Sequence, residues 1–223
     1  MRKAALILAG GIGKRFKTKL PKQFTPINNL PVLMHTLDRF SHLNEIILVI
    51  PKNHFKNWNI LCKKYNFTTY HKLVEGGETR FLSVKNGLKN INHCDIVAIH
   101  DGVRPIVSRQ LINDAIKLIN VNTGVIPIVP VVNTIRKIDD NVSQNLERKN
   151  LFSVQTPQCF KYEEIKNAYK QSYSDLFTDD ASVFEANGGK IITIEGEEKN
   201  IKITKPEDLK IVDLFIKDLK KSK

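Results

Sequence analysis

The chain is poor in cysteine, with three in 223 residues. That excludes a disulfide scaffold, and no pair stands at the CxxC spacing that metal or redox work would use. Cys62, Cys94 and Cys159 therefore read as reduced thiols, with Cys62 and Cys159 in the core. No run of 18 apolar residues occurs, which argues against a membrane-spanning helix. The N-terminal apolar run Ala4–Leu8 is cut short by Gly10-Gly11 and followed by basic residues, so it reads as a first strand and not as a secretory core. Cytoplasm is the expected compartment. The six histidines form no evident catalytic pair, and no Ser–His–Asp set stands out.

What is present is lysine. The net charge is +12, and 27 of the 35 basic residues are lysines. Such a charge fits a nucleic acid or a phosphorylated small molecule. The lysines are spread along the chain without a block, and no helix-turn-helix, zinc or RNA-binding signature accompanies them, so a nucleic-acid partner is not expected. One concentration stands out: residues 1–22 carry seven basic residues and no acid, around a glycine-rich loop. That suits a compact polyanion such as a triphosphate.

Strand-length apolar runs alternate with segments of helical period. Lys3–Leu8, Glu45–Ile50 and Asp95–His100 read as buried strands. Thr69–Val74, Lys190–Glu195 and Asn200–Ile203 read as further strands. Val125–Val132 carries Pro127 and Pro130 and is expected at an edge or leaving the sheet. Helices are expected over 31–40, 54–65, 79–88, 108–119 (with Ser108 as N-cap), 162–172, 180–186 and 206–219. The alternation predicts one α/β domain over 1–223: a Rossmann-like, mostly parallel twisted sheet with helices on both faces. Ligands then lie beyond the carboxyl ends of the strands, in the loops after Leu8, Leu73, His100 and the last strand. Residues 133–152 break the pattern. They read as a protruding β-arm with a turn at Asp139–Val142, used for dimerisation.

The loop after the first strand is Leu8-Ala9-Gly10-Gly11-Ile12-Gly13-Lys14-Arg15-Phe16. Glycines let main-chain amides close on an anion, and Lys and Arg add charge. A Walker A loop fails, because Arg15 follows Gly13-Lys14 where Ser or Thr is needed. A dinucleotide fingerprint fails at Phe16 and at Pro51, which ends the second strand without an acid. Gly-Gly-x-Gly-x-Arg followed by Pro21-Lys22-Gln23 resembles the sugar-nucleotide pyrophosphorylase type of nucleotidyltransferase.

Further segments narrow the resemblance: Gly76-Gly77-Glu78-Thr79-Arg80 with Ser83, His100-Asp101-Gly102-Val103-Arg104-Pro105, Gln155-Thr156-Pro157-Gln158, Thr178-Asp179-Asp180-Ala181-Ser182 and Asn200-Ile201-Lys202-Ile203-Thr204. From about residue 3 to 219 the chain resembles the 2-C-methyl-D-erythritol 4-phosphate cytidylyltransferases of the non-mevalonate isoprenoid pathway. The resemblance implies attack by a phosphate monoester on the α-phosphorus of CTP, with release of pyrophosphate. The monoester is largely ionised near neutral pH, so no general base is needed; the chemistry asks for charge neutralisation and in-line positioning.

By resemblance, Arg15, Lys22 and Lys202 are catalytic, and Ala9, Gly10, Gly11, Gly13, Gly77, Ser83, Gly102 and Arg104 bind the nucleotide. Asp101, Thr134, Arg148, Thr156 and Thr178 bind the acceptor. Gly102 stands where the family often has alanine. Mg²⁺ is expected to be held mainly by nucleotide phosphates, with no protein ligand named. The arm implies a homodimer with shared active sites. Ribitol 5-phosphate is the alternative acceptor, for a cytidylyltransferase of cell-wall polymer synthesis.

Overall fold

The computed structural model describes residues 1–11, 16 and 21–221. Strands β1 (Lys3–Leu8), β4 (Glu45–Ile50), β5 (Lys72–Glu75), β6 (Ile96–Asp101), β7 (Thr123–Pro130), β10 (Phe152–Val154), β11 (Gln158–Lys161) and β12 (Lys190–Glu195) form one eight-stranded sheet. The short pairs β2 (Pro26–Ile27) with β3 (Leu30–Pro31), and β8 (Ile135–Asp139) with β9 (Val142–Leu146), stand apart. The sheet order is β10-β7-β11-β6-β1-β4-β5, with β12 also on β7. Pairings among β6, β1, β4 and β5, and of β12 with β7, are parallel; those of β10 and β11 are antiparallel.

Alternation along β1 explains the two cores. Ala5, Ile7 and Ala9 face a layer built with α1 (Val32–Arg39), α2 (Phe55–Lys64) and α4 (Arg109–Lys117). Ala4 and Leu6 face α3 (Arg80–Lys89), α5 (Tyr162–Ala168) and α6 (Asp180–Ala186) on the other side. A strand buried on both faces needs an unbroken apolar run, and β1, β4 and β6 have one. A smaller cluster seats α7 (Pro206–Lys221) against Phe16, Val103 and Ile203. Ser108 caps α4 as expected, its hydroxyl accepting from the Leu111 amide at 2.9 Å.

Three expectations differ from the structure. Residues 200–203 are no strand: the Ile203 amide donates to the Val103 carbonyl and the Asn200 carbonyl accepts from Arg104, so loop partners replace a ladder. The strand placed at Thr69–Val74 runs instead over Lys72–Glu75. And β7 lies inside the sheet, between β12 and the β10/β11 side. In a strand, a residue's N–H and C=O point the same way. The Pro127 carbonyl accepts from Gln155, so its missing donor falls at the break between β10 and β11, around the cis Thr156–Pro157 bond. The strands β10 and β11, only three and four residues long and split by that break, carry too little pattern to be seen in sequence.

Residues 135–146 form the expected hairpin, with its turn at Asp140 and Asn141, both at positive φ. Residues 136–145 are all exposed.

Candidate active site

Strand β1 is the switch point of the sheet: the chain runs from it to β4 and β5 on one side and returns to β6 on the other. Crevices open at such points, beyond the strand ends. A cleft of about 1010 Å³ lies there, lined from Leu8 through Gly11 and by Lys22, Gly77, Arg80, Ser83, Asp101 and Lys202, among others.

The first wall is built around Gly77 and Ser83. The Gly77 amide donates to Ser83 Oγ at 3.0 Å, and the hydroxyl donates to the Gly77 carbonyl at 3.3 Å. A Cβ on Gly77 would sit 2.4 Å from Leu82 Cβ, so only glycine allows this close turn. Thr79 caps α3, accepting from Leu82, which fixes the turn before Ser83. Opposite, Gln23 donates to the Ala9 carbonyl at 3.0 Å and holds the start of the first loop.

The second wall is charged. Lys202 Nζ lies 2.8 Å from Asp101 Oδ2, and Arg104 Nε lies 3.6 Å from the same oxygen. The second distance is too long for a hydrogen bond but close enough for charge attraction. Burial alone would raise the Asp101 carboxyl; Lys202, Arg80 and Arg104 overcome it and hold it well below the usual carboxylate range. Lys22 Nζ donates to the Ile203 carbonyl at 2.8 Å, which brings the first loop onto the loop that carries Lys202.

The structure thus gathers Ala9, Gly10, Gly11, Lys22, Gly77, Ser83, Asp101 and Lys202 from four segments of the chain. Gly102 lies behind the wall, its amide donating to Leu8 and its carbonyl accepting from Thr36 at 2.9 Å. Arg104 also sits behind, donating to the Asn200 carbonyl at 2.7 Å. Gly13 and Arg15 lie outside the described residues.

The acceptor residues divide. Asp101 is in the cleft. Thr156 is buried, its hydroxyl bonded to the Asp101 amide and His100, and is not on the lining. Thr134, Arg148 and Thr178 are exposed and also off the lining; Arg148 donates to the Val132 carbonyl at the foot of the hairpin.

Residues not assigned from sequence also line the cleft: Asn53 and His54 follow β4, whose carboxyl end abuts β1. The strand-end rule covers that loop as much as the others. Arg80 joins them, with both terminal nitrogens on Asp180. Burial pushes the Cys62 and Cys94 thiols up to about 11 and Cys159 higher still, so none is a nucleophile near neutral pH. Among the described residues, no cluster of three His, Cys, Asp or Glu could cage a metal, and no helix is long and apolar enough to cross a membrane.

Known proteins resemble this chain over nearly its whole length. Residues 3–218 match the profile of a family described as 2-C-methyl-D-erythritol 4-phosphate cytidylyltransferase. A protein of that name from Bacteroides fragilis is 45% identical over 219 residues, covering 97% of this chain and 100% of the relative. One from Clostridium novyi is 39% identical, covering 98% of each. Among solved structures, 4-diphosphocytidyl-2C-methyl-D-erythritol synthase from Anaerococcus prevotii superposes with a TM-score of 0.80 at 31% identity, covering 97% of this chain and 98% of that one.

Proposed function

This chain belongs to the 2-C-methyl-D-erythritol 4-phosphate cytidylyltransferase family, and we propose that the cleft above β1 is where its reaction takes place. The reaction transfers CMP from CTP to 2-C-methyl-D-erythritol 4-phosphate, giving 4-diphosphocytidyl-2-C-methyl-D-erythritol and pyrophosphate. The family match favours this acceptor over ribitol 5-phosphate. The observation that carries the siting is the convergence of Lys22, Asp101 and Lys202, from three distant parts of the chain, on one side of a glycine-walled cleft.

The acceptor's phosphate oxygen forms the new bond to the α-phosphorus as the bond to the β,γ-pyrophosphate breaks. Lys22 and Lys202 meet the charge that develops there, and Arg15 adds to it from the first loop. Such groups, already in place, stabilise charge as it develops and cost no reorganisation. Ala9 to Gly11, with Gly77 and Ser83, seat the nucleoside, and Asp101 accepts from an acceptor hydroxyl. A magnesium ion would be held mainly by the nucleotide's own phosphates. When bound, it supplies neutralisation between the phosphates. The compartment is the one that holds the CTP pool, the cytoplasm.

The hairpin serves as the dimer arm. A two-stranded ribbon is marginal alone, yet this one exposes Ile138 (68%) and Val142 (70%). Thr134 and Arg148, at its feet and off the cleft, would meet an acceptor only in a site shared with a second copy. Sedimentation should give a dimer that deletion of residues 135–146 converts to an inactive monomer; an active monomer would remove the arm from the site.

The test of function is pyrophosphate release with CTP and Mg²⁺, comparing 2-C-methyl-D-erythritol 4-phosphate with ribitol 5-phosphate, with Lys22→Ala beside both. Release with the first acceptor alone, lost in the variant, is expected. Undiminished release by Lys22→Ala would move the chemistry out of this cleft.

A further inference from the structure

Beneath Asp101 lies a closed ring of hydrogen bonds. His100 precedes Asp101 on β6, has no exposed surface, and packs its ring 4.8 Å from that of Phe40. Its Nε2 is 3.1 Å from the Arg104 carbonyl and its Nδ1 is 3.0 Å from Thr156 Oγ1. A carbonyl only accepts, so Nε2 carries the proton; in a neutral imidazole Nδ1 is then bare and accepts a hydrogen bond from the Thr156 hydroxyl. Burial pushes His100 down to about 4, which keeps it neutral at neutral pH. The Thr156 oxygen in turn accepts the Asp101 amide at 3.1 Å.

Two more bonds close the circuit. Arg104 Nη1 donates to the Asn200 carbonyl at 2.7 Å, and Asn200 Nδ2 donates to the Thr156 carbonyl at 2.9 Å. The direction is the same throughout: Thr156 to His100, His100 to Arg104, Arg104 to Asn200, Asn200 to Thr156. Only the His100 imidazole accepts and donates through one group; at Thr156, Arg104 and Asn200 the circuit passes between main chain and side chain, so it acts by fixing positions. The ring ties together the end of β6 with Asp101, the segment before β11, and the loop in which Lys202 follows Asn200 by two residues.

We propose that His100 and Thr156 are positioning residues, which hold Asp101 and the Lys202 loop in the geometry the acceptor needs by way of this ring. The inference rests on the reading of Asp101 as an acceptor-binding residue. It gives Thr156 a role through Asp101, because its single proton is already committed to His100.

The experiment measures kcat, the KM of each substrate and thermal stability for Thr156→Val, Thr156→Ser, His100→Asn, the Thr156→Val/His100→Asn double variant and Asp101→Asn. Thr156→Val and His100→Asn should each lower kcat/KM for the acceptor roughly tenfold or more, since small misplacements at a reacting centre are costly. The KM for CTP should stay nearly constant, and Thr156→Ser should recover most of the loss. The double variant should be no worse than the worse single, as expected of residues acting as one unit. If Asp101→Asn is damaging and His100→Asn harmless, the ring has no positioning role. If Asp101→Asn is itself harmless, the reading of Asp101 falls and the inference with it. Losses that multiply in the double variant would mean that Thr156 acts separately. The unaltered protein gives an independent check: nitrogen-15 spectra of His100 should show a protonated Nε2 and a bare Nδ1 at pH 7, and the opposite tautomer or an imidazolium would overturn the ring.

Discussion

Asp180 has no exposed surface and carries three hydrogen bonds. Oδ1 accepts from Arg80 Nη1 at 2.9 Å and from the Tyr169 hydroxyl at 2.6 Å; Oδ2 accepts from Arg80 Nη2 at 2.5 Å. Burial opposes the charge on Arg80, but Asp180 outweighs it and holds the guanidinium more firmly protonated than usual. The pair ties the Glu78–Arg80 wall of the cleft to the first turn of α6, just after Thr178. Asp180→Asn keeps the size, removes the charge, and sets an amide donor against Arg80 or Tyr169. Removing one partner of a buried pair costs about 3–5 kcal/mol. The Arg80 side chain keeps 32% exposure, so water relieves part of the loss. The lower end, about 3 kcal/mol, is therefore expected. For a chain of this size each kcal/mol lowers Tm by roughly 2–4 °C, which gives a fall of about 6–12 °C. Thermal unfolding followed by circular dichroism at pH 7 measures it. Arg80→Met with Asp180→Leu removes both charges and should recover at least half of the fall, since no buried charge is left alone. A Tm for Asp180→Asn within 2 °C of the parent, or a double variant less stable than the single, would refute the reasoning.

Three further outcomes follow from the same geometry. Lys22→Ala should lower kcat by about 10²–10³ with little change in Tm, because the cation acts on charge that exists only during reaction; a change confined to the KM for CTP would reduce Lys22 to a ground-state contact. Burial lowers the pKa of His71, and it holds His100 near 4, so both are neutral in the fold while the unfolded chain takes up protons near 6.5. The stabilisation from His100 is complete above about pH 6.5 and fades as the pH falls towards 4, by about 3 kcal/mol, and His71 adds a loss of the same sign. Trp58, the one tryptophan, donates to His71 Nε2 at 2.8 Å, so its fluorescence should report urea unfolding, and a midpoint unchanged from pH 7 to 4.5 would contradict this account. Gly102→Ala would place a methyl 3.0 Å from Ala9 Cβ and Leu33 Cδ1 and 3.1 Å from the Leu8 carbonyl. Overpacking of about 1–2 kcal/mol is offset in part by about 0.4–1 kcal/mol from the stiffer unfolded chain, so Tm should fall by a few degrees and the KM for CTP should rise; a more stable variant would show that the wall gives way.

The family was legible by resemblance, from motifs in order along the chain, and most of the strand–helix alternation from residue pattern; β10, β11 and the absence of a strand at 200–203 were not. Continuous apolar runs mark β1, β4 and β6 because strands covered on both faces cannot alternate. Glycines 10 and 11 and Lys22 follow β1, Asp101 ends β6 and Gly77 follows β5, at the strand ends where a parallel sheet opens its cleft; Lys202 comes from a loop beyond β12. Proline misled at β7, because a missing donor is tolerated inside a sheet wherever the neighbouring strand is interrupted. The tertiary structure decided what depends on contact between distant segments. Thr156 belongs beneath Asp101 and not on the cleft surface, because its hydroxyl meets an amide 55 positions back in the chain. His100 opens one of the motifs that carry the resemblance, but only packing reveals it as the hub of a ring. Arg80 and Asp180, 100 positions apart, each stand in one of those motifs, but nothing pairs them until the fold buries the carboxylate against the guanidinium. Local sequence sets which backbone forms a loop; which polar group satisfies which, once water is excluded, is fixed only when the segments meet.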